Sequence, residues 1–148
     1  MKKLILSYFL LLLLFPAFLF GKVKLETPED ALESVIRSTR AKNLREFLQC
    51  SDLQAFAGLS NNDENIDRIL LSLEKDKLRK NYVNKTLDYL ATHRFEILET
   101  IPGSSSTIFI IQEKSGTARA KLLFRKLGDN WKLAGFKHLP PAQPEQEK

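Results

Sequence analysis

One cysteine and two histidines in 148 residues leave little material for redox or metal chemistry. A lone thiol, Cys50, cannot close an intramolecular disulfide, and its place after Phe47 and Leu48 in an apolar stretch suits burial as a small hydrophobe. His93 and His138 stand far apart, and neither has a cysteine or carboxylate at the spacing of a zinc site. Gly103-Ser104-Ser105-Ser106 is followed by neither the lysine nor the helix of a phosphate loop. No cofactor motif is present. Basic residues interleaved with exposed aromatics are missing too, and with them the stacking platform of a nucleic-acid binder. Charge of one sign is modest, 23 Lys and Arg against 18 Asp and Glu. There is no internal repeat.

What the chain does have is a distinctive beginning. Lys2 and Lys3 precede an apolar run from Leu4 to Leu14, interrupted only by Ser7 and Tyr8, and Pro16 and Gly21 follow. Basic, apolar, then helix-broken is the order of a secretory signal peptide, which predicts cleavage between Gly21 and Lys22 and export to the periplasm or extracellular space. A second reading stands beside it. Leu4 to Phe20 reaches about 17 residues, the short limit for a spanning helix, so the same segment also fits an uncleaved anchor and a protein held at a membrane. Leu19, three residues before the cut, is large where cleavage favours a small residue. Cys50 is too distant from the run to be a lipidated first residue.

Residues 22–138 are enough for one domain with a single core. Thr27 is placed to cap a helix with Pro28 in its first turn and Glu29 and Asp30 beside it, and Ala31, Leu32, Val35 and Ile36 line one face. Asn43 starts a second, short helix through Phe47 and Leu48, and Leu53, Phe56 and Leu59 extend the apolar supply. A polar loop over residues 60–65 precedes a third, long pattern that begins at Asp63 or Asn65 and continues to Leu90 as one bent helix or two, with weak helix formers Asn81 and Asn84 near its centre. In its charged middle, Asp76 and Lys80 have the spacing and order of a helix-supporting pair. Asn84-Lys85-Thr86 matches a glycosylation acceptor but sits inside this predicted helix.

From His93 the period changes to two. Phe95, Ile97 and Glu99 alternate with Glu96, Leu98 and Thr100 until Pro102-Gly103, and the run Ile108-Phe109-Ile110-Ile111 suits a central strand. Residues 117–127 alternate apolar and basic, Gly128-Asp129-Asn130 turns the chain, and a last strand begins at Trp131. Short connections predict a four-stranded antiparallel meander. From Pro140 to Lys148 the chain has no core-forming side chain except Ala142, and residues 139–148 read as a disordered tail.

Helices first, then a meander ending in Gly128-Asp129-Asn130-Trp131-Lys132-Leu133, resemble the nuclear transport factor-like superfamily and its small exported members. The opening Thr27-Pro28-Glu29-Asp30 and the short second helix fit the same pattern. The resemblance covers Thr27 to about Lys137 and implies an α+β cone, with N-terminal helices packed on a curved four-stranded sheet. It is nearly silent on function, because enzymes and binding modules share that scaffold. A pocket between helices and sheet would be lined by Tyr82, Tyr89, His93, Glu99, Gln112 and Trp131. The sequence therefore points to an exported non-enzymatic binding or interaction module, its partner a small apolar ligand or an envelope protein. The alternatives are a small isomerase-like or hydrolytic enzyme using Glu99 or His93 for proton transfer, and a membrane-anchored envelope protein. Homodimerisation through the open sheet is a further property of the resembling fold.

Overall fold

Every helix among the described residues begins at a residue whose side chain accepts a hydrogen bond from the first turn, as a helix start demands. The computed structural model describes residues 23–141. The expected leader, its expected Gly21/Lys22 cleavage point and residues 142–148 of the expected tail lie outside the described residues. Thr27 caps α1 (Pro28–Arg40), Asn43 caps α2 (Leu44–Gln49), Asp52 caps α3 (Leu53–Ala57), Asn65 caps α4 (Ile66–Lys75) and Asp76 caps α5 (Lys77–Thr92). The long third pattern is thus two helices. They part at Asp76, not at the asparagines of its centre. Asp76 takes an extended conformation, closes α4 through its backbone N–H and opens α5 by accepting from the Arg79 N–H. That bond, together with the Arg79 guanidinium, holds the Asp76 carboxyl below its ordinary range. Lys80 consequently pairs with Glu74, at 2.7 Å, and not with Asp76.

The strands β1 (Phe95–Pro102), β2 (Ser106–Glu113), β3 (Arg119–Leu127) and β4 (Asn130–Leu139) form one open antiparallel sheet in the order β1-β2-β3-β4. The fold is α+β, five helices packed against this four-stranded sheet. Gly128 sits at φ +62 in the β3–β4 turn, a conformation that costs glycine nothing. Two irregularities shape the register. Ala134 is the extra residue where β4 slips against Leu123 and Phe124, and Leu98 is the extra residue between Ile97, opposite Ile111, and Glu99, opposite Ile110.

One face of the sheet presents Phe109, Ile111, Ala120, Leu122, Phe124 and Leu133 to the helices, where they meet Val35, Phe47, Leu48, Phe56, Val83 and Leu90. All are buried. Each such large aliphatic or aromatic side chain contributes about 1.5–3 kcal/mol by leaving water. The interior expected to hold a pocket is occupied by these rings and branched chains. Beyond β4, residues 50–52 run beside the strand: Leu133 N–H donates to the Cys50 carbonyl, Asp52 N–H donates to the Leu133 carbonyl, and Trp131 N–H donates to the Leu25 carbonyl at 2.8 Å.

Asp52 is the polar pin of that junction. It is 2% exposed and accepts from the N–H groups of Gln54 and Ala55 at 3.0 and 3.2 Å and from Asn61 Nδ2 at 3.1 Å. Asp52→Ala is expected to lose about 2–3 kcal/mol, a cap plus an orphaned amide, and Asp52→Asn about 1 kcal/mol. Urea denaturation of the two variants checks this; equal losses would mean that the cap contributes nothing.

Candidate interaction trough at the sheet edge

β1 is an edge strand, and edges of this kind are usually blunted by charge, by shortness or by cover. Here Ile97, Leu98 and Ile101 remain 50%, 47% and 44% exposed. Between β1 and α1 runs a depression of about 290 Å³, floored by Leu32, Ile36, Phe95, Ile97 and Ile111. Helix periodicity brings Leu32 and Ile36 to this wall, and strand alternation brings Phe95 and Ile97 to the other. Glu29, Glu33 and Glu96 edge the depression, while Arg40 and Phe95 also line an adjoining one that adds Arg94 and Lys114. The trough therefore has an apolar floor with carboxylates along one stretch and cations at the end. The cations gather where the last turns of α1 and α5 direct their carbonyls, as the helix dipole favours.

The cationic end carries an aromatic cluster. Tyr89, on the last turns of α5, packs its ring against His93 at 4.8 Å, Phe95 at 5.1 Å, Phe136 at 5.2 Å and His138 at 4.7 Å between centroids. His93 Nδ1 lies 2.9 Å from the Tyr89 carbonyl, which can only accept, so this nitrogen carries the proton and ties off the end of α5. The Tyr89 hydroxyl is buried with no partner among the described residues. Burial, and then the charge of Glu113, push its pKa up. His138 belongs to β4.

The six residues singled out from the sequence do not converge. Tyr89 and His93 meet at the trough's end. Tyr82 stacks on Phe56 at 5.0 Å and is tied to the Phe136 backbone, its hydroxyl accepting from the N–H at 2.7 Å and donating to the carbonyl at 3.3 Å; burial raises its pKa against that bond. Trp131 is a core residue, 8% exposed. Glu99 and Gln112 lie on the face away from the helices, Glu99 opposite Ile110 and Gln112 between Glu96 and Arg119. Without the Leu98 bulge, Glu99 would share the face of Ile97. The trough residues Leu32 and Ile36 were legible as an apolar helix face, but nothing in the sequence marks Ile36 as left partly uncovered.

A larger, polar depression of about 780 Å³ lies beyond the β3–β4 turn, between α2, residues 61–64 and Lys132. Many of its polar groups are answered internally. Lys132 donates to the Gln49 carbonyl, Asp63 accepts from Asn65 and pairs with Arg68, and Asn61 accepts from the Leu53 N–H. Burial lowers the Lys132 pKa. Among the described residues no group of three or more His, Cys, Asp or Glu side chains could hold a metal ion, and no helix is long and apolar enough to cross a membrane. Compared with known proteins, the chain matches no family model, no curated protein and no solved structure.

Proposed function

We propose that this chain is an exported, non-enzymatic interaction module that holds a protein partner in the α1–β1 trough. One observation carries the reading: Ile97 of the edge strand stands half exposed over an apolar floor of Leu32, Ile36, Phe95 and Ile111. Exposed apolar surface at an unpaired edge is costly in water and prone to association, so a stable occupant is the economical explanation. The leader at Met1–Gly21 supports export. The order of elements, helices before a four-stranded meander, supports a cone-type nuclear transport factor-like fold, a likeness that carries no function with it.

The occupant's chemistry follows from the rim. An extended segment with apolar side chains at alternate positions would reach the floor, and basic residues on it would meet Glu29, Glu33 and Glu96. Ile97→Lys tests this. The position is half exposed, so stability should change by no more than about 0.5 kcal/mol. A partner co-purifying in stoichiometric amount from the native envelope should be retained roughly tenfold less well, as expected for a central apolar anchor. Undiminished retention by the variant, or no stoichiometric partner with the wild-type chain, would refute the proposal.

A further inference from the structure

The register of β3 and β4 sets like charges directly opposite each other. Lys121 faces Lys137 and Arg125 faces Lys132, and Arg119 continues the same alternate row of β3. Opposed like charges destabilise an antiparallel pair. The fold relieves this only in part. Arg125 has Asp52 Oδ2 at 3.6 Å and Lys132 bends to the Gln49 carbonyl, while no salt bridge among the described residues engages Arg119, Lys121 or Lys137. Arg119, Lys121, Arg125 and Lys137 belong to the sheet face turned away from the helices, since Ala120, Leu122 and Phe124 between them are buried on the other side, whereas the Lys132 side chain reaches back to α2. Ile108, Ile110 and Leu123 lie in the same rows across the sheet, and the acids of this face, Glu96 and Glu99, are confined to the distant strand β1.

We infer that the outer face of β3–β4 docks on an anionic lipid surface. Three features favour lipid over an acidic protein. The cations share one face of the sheet with aliphatic side chains, an arrangement that lays alkyl stems along an interface and leaves the charged tips among headgroups. They need no directional acceptor, and the fold gives them almost none. The chain also enters the domain at this place: Leu25, shortly after the apolar run of residues 4–20, is bonded to Trp131 on the edge of β4. Each cation close to an anionic bilayer strengthens adsorption about fivefold, so four of them together supply on the order of several hundredfold. The inference goes beyond trough binding and does not depend on it. β1 is the opposite edge of the sheet, so a docked domain keeps the trough open.

Lysine acetylation footprinting of the full-length chain, read by mass spectrometry, tests the inference whether or not the leader inserts. The comparison is between phosphatidylcholine vesicles and the same vesicles containing phosphatidylglycerol. The anionic lipid should protect Lys121 and Lys137 several-fold, leave Lys75, Lys77 and Lys85 on the helices unchanged, and lose its effect near 1 M salt, where the screening length is about 3 Å. Replacing both residues, Lys121→Gln with Lys137→Gln, removes an unfavourable pair and so spares the fold. It should weaken the lipid-dependent increment by roughly 25-fold. Equal reactivity in the two vesicles, equal protection of the helix lysines, or protection by soluble polyglutamate but not by anionic vesicles would overturn the assignment.

Discussion

Truncation of Phe56 to alanine is expected to remove about 3–5 kcal/mol of stability, a large share of the roughly 5–15 kcal/mol available to a domain of this size. Phe56 is fully buried, stands edge-on to Phe47 at 5.7 Å and is stacked on Tyr82 at 5.0 Å. Tyr82 is in turn bonded to the Phe136 backbone, so one ring joins α3 to α2, to α5 and through α5 to β4. Alanine would leave a cavity bounded by rigid aromatic planes and backbone, with little freedom to collapse. Phe56→Leu refills most of the volume and should cost well under half as much. Urea denaturation followed by circular dichroism measures both. A loss below about 1 kcal/mol for the alanine variant would show that α3 is not part of the cooperative core.

Cys50 should be nearly inert in the folded protein. It is 0% exposed, and its thiol is pushed up to about 12, first by burial and then by the charge of Glu46, with Lys132 and Arg37 opposing. The thiolate is the reactive form, so burial suppresses alkylation both by exclusion and by keeping the proton on sulfur. Labelling with a thiol reagent should then require opening of the domain and run at least about a thousandfold slower than in urea. Native labelling within tenfold of the urea rate would contradict this.

The same shift has a sign in pH. The unfolded thiol loses its proton above its ordinary value of 9.0, whereas the folded one keeps it to about 12. The unfolded state therefore binds fewer protons in that window, and stability falls as pH rises through it, having been fully present below it. The span corresponds to something on the order of 4 kcal/mol at its upper end. Cys50→Ala should flatten this part of the alkaline stability profile. Parallel profiles for the two proteins between these values would remove the thiol as its cause.

Legibility differed between the two halves of the domain for physical reasons. Thr27, Asn43 and Asn65 announce their helices because each precedes an apolar face at helical spacing, a purely local arrangement. Asp52 and Asp76 do the same work, yet each sits where local signals conflict: Asp52 follows a serine in a continuing apolar supply, and Asp76 lies within Glu74-Lys75-Asp76-Lys77, where an acid reads as one more solvated charge. An aspartate three positions before a residue able to pair with it was the available clue at Asp76. In the sheet, alternation located all four strands, but period two assumes no slip. The extra residue at Leu98 moved Glu99 from the side of Ile97 to the side of Ile110, and with it dissolved the expected grouping of Glu99 with His93.

The amino-acid sequence by itself determined the element types, their order and most of the core, because caps, turn glycines and hydrophobic period act over a few residues and need no distant partner. It also carried the row of basic residues on β3, since alternation with Ala120, Leu122 and Phe124 is local. Only the tertiary structure decided that Lys121 meets Lys137, that α1 leaves Leu32 and Ile36 over an uncovered strand edge, and that Tyr89, His93 and His138 share one cluster while Trp131 and Tyr82 are consumed by packing. Those outcomes rest on register and on which apolar surface runs out of cover. Both are settled by contacts between residues far apart in the chain, where a shift of a single residue reverses the face that a side chain occupies.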